Sequence, residues 1–307
     1  MSLFTCGDRA PIPVRARGQH LVVDIHCHLG IPAADAIVQA RYPGPPPGIN
    51  DFTSAKTGEV NRAMFAAMGR TLNTLDTRLA DMDRLGIDVQ ALSPSPGQYF
   101  YYADAETGRD AARAVNDGMA AAVASQPDRF VGMGTVPLQN AEMAIAEMRR
   151  CVAELDLRGI EISSNVNGED LHAERLRPFW AAAEELGVLI FLHPLGFTQG
   201  QRMSEYYFNN LIGNPLESTL AIGHLIFSGT LDRHPGLKIC VAHGGGYLPG
   251  YWGRMDHGWR ARGDCSEHCQ HAPSSYLRKL WLDTLVFDQD QLESLVRTHG
   301  ADRLCLG

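Results

Sequence analysis

The sequence predicts an α/β chain folded as a (β/α)8 barrel of the TIM type, with an insertion after strand one. Three observations carry this expectation. Short continuous apolar runs alternate with longer amphipathic stretches, which is the pattern of a parallel sheet covered by helices. Eight such runs can be counted, and eight favour a closed barrel over an open doubly wound sheet. No Gly-x-Gly-x-x-Gly follows the first run and no Gly-Lys-Ser/Thr run occurs, so nucleotide binding has no support.

The elements follow in chain order. Residues 1–20, with Pro11, Pro13 and Gly18, read as an irregular leader, and strand one covers Leu21–Cys27. The stretch 29–72 contains Pro43-Gly44-Pro45-Pro46-Pro47-Gly48, which interrupts helix and sheet alike. It reads as a loop or small cap with a short helix near 59–69. Leu75, Leu79, Met82 and Leu85 have helical spacing, and Gly86 suits the helix end. Strands are then expected at Asp88–Ser93, Phe130–Val136, Gly159–Ser163, Val188–His193, Leu237–His243, Leu280–Leu285 and Arg303–Gly307. Helices are expected at 104–126, 139–156, 172–187, 215–233, 247–261 and 288–299. One barrel domain over 1–307 is expected, with 29–72 as its cap or loop insertion.

Composition narrows the function classes. The 307 residues are 45% hydrophobic and 20% charged, enough for a large core with an ordinary polar surface. With 27 basic and 35 acidic side chains the net charge is −8, which disfavours nucleic acid and anionic membranes as partners. No apolar run approaches the roughly 18 residues of a membrane span, and the first residues lack a signal-type apolar stretch. Seven scattered cysteines, an odd number, indicate free thiols in a reducing compartment, hence a cytoplasmic enzyme.

The chemistry is expected at the strand ends. His26 and His28 alternate on strand one and so face the same way, with Cys27 opposite. His193 ends strand five and His243 ends strand six. In a parallel barrel all these ends open onto one rim. Three imidazoles there hold a zinc-type ion with an open position for water, and a fourth beside that water suits a general acid or base. The pattern alone does not separate ligand from base. His243 fits the second role because Gly244-Gly245-Gly246 follows it and leaves room for substrate. Glu161 and Asp283, inside strands four and seven, are candidates to approach the metal, but read better as buried hydrogen-bonded carboxylates.

Several motifs in order carry a family resemblance. They are His26-Cys27-His28, the run Met82–Ser93, Gly213-Asn214-Pro215-Leu216-Glu217, Leu225–Gly229, and Ala242–Gly246 with Leu248-Pro249 and Arg254. From about residue 21 to the end the chain resembles the amidohydrolase-related metal-dependent decarboxylases. The resemblance implies one divalent metal ion per subunit, zinc first and manganese second, on His26, His28 and His193. It implies His243 as the acid–base residue and non-oxidative loss of CO2 from a small unsaturated or aromatic carboxylate. It also implies a homodimer in which Arg254 reaches the neighbouring subunit's site to bind substrate carboxylate. A second catalytic arginine is expected in the insertion, with Arg70 the candidate and Arg62 the substitute. One departure is visible. The family places a metal-binding aspartate directly after the last strand, whereas this sequence stops at Leu304-Cys305-Leu306-Gly307, so the last helix is expected to be missing as well.

Two local signals compete for attention. Cys265, His268, Cys269 and His271 crowd seven residues without the separated pairs of zinc modules, and read as a surface loop. Tyr99-Phe100-Tyr101-Tyr102 follows strand two and suits the wall of a pocket for a flat substrate, with Tyr99 the substrate-binding candidate and Phe197 and Trp252 weaker ones. The same fold and ligands also suit a hydrolase or hydratase of an amide, lactone or enol acid, or a binding protein with a degraded site. CO2 release against water addition separates the two enzyme readings.

Overall fold

Eight short parallel strands carry the fold: β1 (Val23–Leu29), β2 (Val89–Pro94), β3 (Phe130–Gly134), β4 (Gly159–Ile162), β5 (Leu189–Leu192), β6 (Lys238–Val241), β7 (Trp281–Asp283) and β8 (Leu304–Cys305). The structure, a computed structural model, describes residues 20–44, 47 and 52–307. The leader read over 1–20 lies, apart from His20, outside the described residues, as does part of the proline-rich run.

Each strand pairs with its successor in parallel. The Ile25 N–H donates to the Leu306 carbonyl at 2.9 Å, joining the first strand to the end of the last. The result is the expected TIM-type barrel. Its interior is filled by Ile25, Val89, Val131, Met133, Leu189 and Phe191 with their neighbours. A larger apolar layer between strands and helices holds Leu92, Phe130, Ile160, Phe179, Trp180 and Ile226, all nearly solvent-free. Each such side chain contributes about 1.5–3 kcal/mol by leaving water.

The helices are α1 (Pro32–Arg41), α2 (Ala55–Asn73), α3 (Leu75–Leu85), α4 (Ala105–Ser125), α5 (Ala141–Ala153) and α6 (Arg177–Leu186). They continue with α7 (Asn214–Phe227), α8 (Thr230–Arg233), α9 (Leu248–Ala261), α10 (Gly263–Ser266), α11 (Pro273–Leu277) and α12 (Gln289–His299). Their ends follow local chemistry. Ser54, Asp104, Asn140 and Asp288 each accept a hydrogen bond from the backbone N–H three residues on, capping α2, α4, α5 and α12. Gly86 ends α3 in the left-handed conformation, φ 72°, as its place in the sequence suggests.

The insertion departs from expectation. In place of a loop with a short helix near 59–69, it contains α1 and the 19-residue α2. Pro32 opens α1, where its missing N–H costs nothing. Asn61 is the only fully buried side chain of α2, while Val60, Met64, Phe65 and Met68 stand exposed.

Candidate active site

The site begins in an irregularity of β1. Pairing with β2 shifts between Asp24 and Cys27, and the His26 N–H turns to the Asp24 carboxylate at 3.1 Å. That shift changes the facing of the strand. Ile25 fills the lower barrel interior, Cys27 packs under the helices, and His26 and His28 point into the barrel mouth. Their Nε2 atoms lie 3.2 Å apart. His193, just after β5, brings its ring centroid to 5.0 Å from His26 and 4.7 Å from His28. His243, just after β6, lies 5.2 Å from His26 and 4.9 Å from His193. The four histidines read from the strand ends therefore converge.

Buried polar groups hold this cluster. Asp283, fully buried on β7, meets His26 Nδ1 at 2.7 Å and accepts the Gly244 N–H at 2.8 Å. His28 Nδ1 lies 2.9 Å from the Pro94 carbonyl and 3.1 Å from Ser93 Oγ. Arg78, reaching in from α3, donates to the His28 carbonyl at 2.6 Å. Glu161 on β4 accepts the Tyr99 hydroxyl at 2.5 Å, and its other oxygen lies 3.5 Å from His28 Nδ1. Asp283 and Glu161 are thus the buried hydrogen-bonded carboxylates expected, but both belong to the site. Arg78 is a member that sequence reasoning missed.

The glycine run has a packing cause besides the room for substrate expected of it. His243 itself adopts φ 57°, and Gly244, Gly245 and Gly246 all have positive φ. A Cβ on Gly244 would meet Val286 at 2.4 Å, and one on Gly246 the Pro215 carbonyl at 2.3 Å. The barrel's own packing demands glycine there, before any substrate does.

The electrostatics favour neutral imidazoles at His28, His193 and His243. Burial, then the neighbouring His26, lowers the pKa of His28 to about 3. Burial lowers His243 to about 4 and takes His193 well below the usual histidine range. For His26 burial acts downward too, but Asp283's hydrogen bond and charge, with Glu161 and Asp24, raise it overall. Asp283 is held below the ordinary carboxylate range by His26, against its burial. Burial pushes Glu161 up to about 7. Histidines whose folded pKa is depressed bind protons more readily in the unfolded chain, so stability falls as pH drops below about 6.5. The window extends down to about 4 for His243 and about 3 for His28. The metal-free protein is therefore expected to lose up to about 1.4 kcal/mol per pH unit for each such histidine. His26, raised, opposes this with a smaller contribution that is lost as pH rises. Urea unfolding near pH 7 and pH 5 measures it; equal stabilities would show the rings are not buried neutral.

The residues fit a transition metal. Nitrogens of His26, His28 and His193 all lie within 4.8 Å of one another. The 3.2 Å between the first two matches the edge of a tetrahedron of donors, about 3.4 Å for zinc–nitrogen bonds. Nδ1 of His193 and of His243 are buried without a hydrogen-bond partner among the described residues. A cleft of about 210 Å3 opens beside His193, lined by Phe52, Phe65, Pro194, Tyr207 and Asn209. A second, of about 390 Å3, is walled by Tyr99–Tyr102 and Phe197. Tyr99 is nearly solvent-free and spends its hydroxyl on Glu161, so it offers the cleft its ring.

The arginines lie elsewhere in the single chain. Arg70 is 76% exposed at the end of α2 and pairs with Asp76, while Arg62 on α2 and Arg254 on α9 are also exposed. Trp252 packs at the edge of the outer apolar layer under Arg278. Cys265, His268, Cys269 and His271 form no metal-type group among the described residues; His268 is exposed and Cys269 is buried. No helix is long and apolar enough to cross a membrane among the described residues.

Comparison with known proteins shows the family and the fold. The 2-amino-3-carboxymuconate-6-semialdehyde decarboxylase of Dictyostelium discoideum is 41% identical over 233 residues, which are 76% of this chain and 65% of that protein. A 2-keto-4-carboxy-3-hexenedioate hydratase from Sphingobium is 27% identical over 255 residues, 76% of this chain and 68% of that one. The crystal structure of 5-carboxyvanillate decarboxylase from Sphingomonas paucimobilis superposes with a TM-score of 0.82 at 26% identity, covering 94% of this chain and 88% of that one. The corresponding enzyme of Novosphingobium aromaticivorans, with bound manganese, has a TM-score of 0.81 at 25% identity over 96% of this chain and 88% of its own. The family model described as amidohydrolase matches residues 23–307, and the chain belongs to that family.

Proposed function

We propose that the protein is a metal-dependent carboxy-lyase that removes CO2 without oxidation from a small aromatic or unsaturated carboxylic acid. The observation that carries this reading is the convergence of four histidines at the barrel mouth, in a family whose similar members include decarboxylases. His26, His28 and His193 hold the metal, zinc by its donor chemistry and manganese by the neighbouring structure. The ion, when bound, acts as a Lewis acid toward the substrate's oxygens.

The chain's own residues supply the remainder. Aromatic side chains beside His193 and along Tyr99–Tyr102 sandwich a flat acid and exclude water from it. His243, neutral at pH 7 and with its Nδ1 unpartnered among the described residues, takes up a proton from solvent water and delivers it to the carbon that loses the carboxylate. The carbon–carbon pair stays on that carbon, the proton quenches it, and CO2 leaves. Asp283 holds His26 in one tautomer and orientation. Changing Asp283 to Asn is expected to weaken metal binding about 10–100-fold while the barrel stays folded. Metal titration checks this, and unchanged affinity would remove Asp283 from its supporting role.

The remaining features of the proposal are coarser. One barrel domain spans the chain, with 29–72 as a cap. The protein acts as a cytoplasmic homodimer in which Arg254 from the partner binds substrate carboxylate and Arg70 assists catalysis. Val60, Leu211, Tyr251 and Phe287 are exposed large apolar side chains of the kind a partner subunit would cover. The Sphingobium relative favours a second reading, addition of water to an unsaturated acid on the same site. Mass spectrometry of products from 2-amino-3-carboxymuconate-6-semialdehyde, 5-carboxyvanillate and an enol-acid substrate separates them. Loss of CO2 supports the lyase, and gain of water supports the hydratase.

A further inference from the structure

We propose that Asp170, His172 and His224 form a second site for a divalent transition-metal ion of the zinc class, on the outer surface of the barrel. The proposal does not depend on the reading of the active site. Two imidazoles and one carboxylate are a zinc-type donor set. Their ligand atoms all lie within 4.8 Å of one another, the same convergence found at the barrel mouth. The His172 and His224 rings stack in parallel, centroids 4.5 Å apart and planes within 4°. His224 Nε2 sits 3.1 Å from Asp170 Oδ2.

The local structure presents these groups from rigid elements. Asp170 ends a two-stranded hairpin, Asn165–Val166 paired with Glu169–Asp170. Leu171 is fully buried and its carbonyl accepts the Trp180 indole N–H at 2.8 Å, so the residues on either side are anchored in place. His224 comes from the last turns of α7, a helix already tied to the hairpin by Glu217, which accepts from Ser164 and Asn165. A hydrogen-bonded Asp170–His224 pair would account for two of the three groups. It leaves His172, whose Nδ1 is buried and has no hydrogen-bond partner among the described residues. Donors on one tetrahedral zinc stand about 3.4 Å apart. Drawing in from at most 4.8 Å asks only for rotation of the half-exposed His224 and Asp170 side chains. Such an ion would clamp the hairpin that follows β4 to α7.

The test uses the holoprotein with its barrel-mouth histidines intact, dialysed against micromolar Zn2+ and assayed by elemental analysis. A His172→Ala/His224→Ala variant is expected to hold one zinc equivalent per chain fewer than the wild type, with an unchanged circular dichroism spectrum. Equal zinc contents in the two proteins would overturn the site. Should the double variant fold poorly, Asp170→Asn decides. Its second equivalent is expected to bind at least about 10-fold more weakly, by analogy with the loss of a group supporting a metal site. An unchanged zinc isotherm for Asp170→Asn would overturn the site as well.

Discussion

Replacing His243 by alanine is expected to lower turnover about 10²–10⁴-fold while metal content stays that of the wild type. The magnitude is that of a positioned proton donor, and the retained metal follows from geometry. His26, His28 and His193 form a group whose nitrogens converge without His243. His243 instead sits to one side, 4.9 Å from His193 and 5.2 Å from His26 between ring centroids, facing a cleft that includes Tyr247 and Asn214. Its backbone stands at φ 57°, a conformation that Asn or Gly adopts with less strain than Ala, so His243→Asn is the companion variant. Steady-state rates with metal analysis of both variants decide the matter. If either variant loses its metal together with its activity, His243 is a ligand and the acid–base assignment fails.

His193→Ala is expected to behave in the opposite way, with metal occupancy and activity falling together. Of the three proposed ligands, His193 alone does not come from β1. Without it the remaining pair, two residues apart on one strand, cannot enclose an ion. The loss of affinity should exceed the 10–100-fold that follows removal of a merely supporting group. Isothermal titration with Zn2+ or Mn2+ reads this directly. A variant that keeps wild-type metal affinity while losing turnover would exchange the roles of His193 and His243.

The barrel was legible because its strands are buried on both faces. Runs such as Leu189-Ile190-Phe191-Leu192 are apolar throughout and stand out from the helices around them. The histidines were legible for a related reason, since a polar residue closing such a run must lie at the rim. The insertion was harder. Hydrophobic periodicity records the face a helix buries, and α2 buries almost nothing while showing apolar side chains to solvent. Pro32 opens α1 at its first turn, and a proline taken alone gives no helix signal. The supporting shell was legible only in part: Asp283 and Glu161 stand out as carboxylates inside apolar strands, but their partners do not. Asp283 meets His26 across 257 positions of sequence and Arg78 braces His28 across 50, so only the closed barrel brings these pairs together. The glycines after His243 were visible, but their packing cause was not, because the clash partners Val286 and Pro215 belong to other elements.

The central claim is that a metal held by the three histidines enables loss of CO2. Its most direct test is CO2 release from 2-amino-3-carboxymuconate-6-semialdehyde and 5-carboxyvanillate by one preparation, before chelation, after chelation, and after metal is restored. The account expects release from at least one of these acids, its abolition by chelator, and its recovery on adding Zn2+ or Mn2+. Release that persists in the fully chelated protein, or that no metal restores while the barrel remains folded, would contradict it.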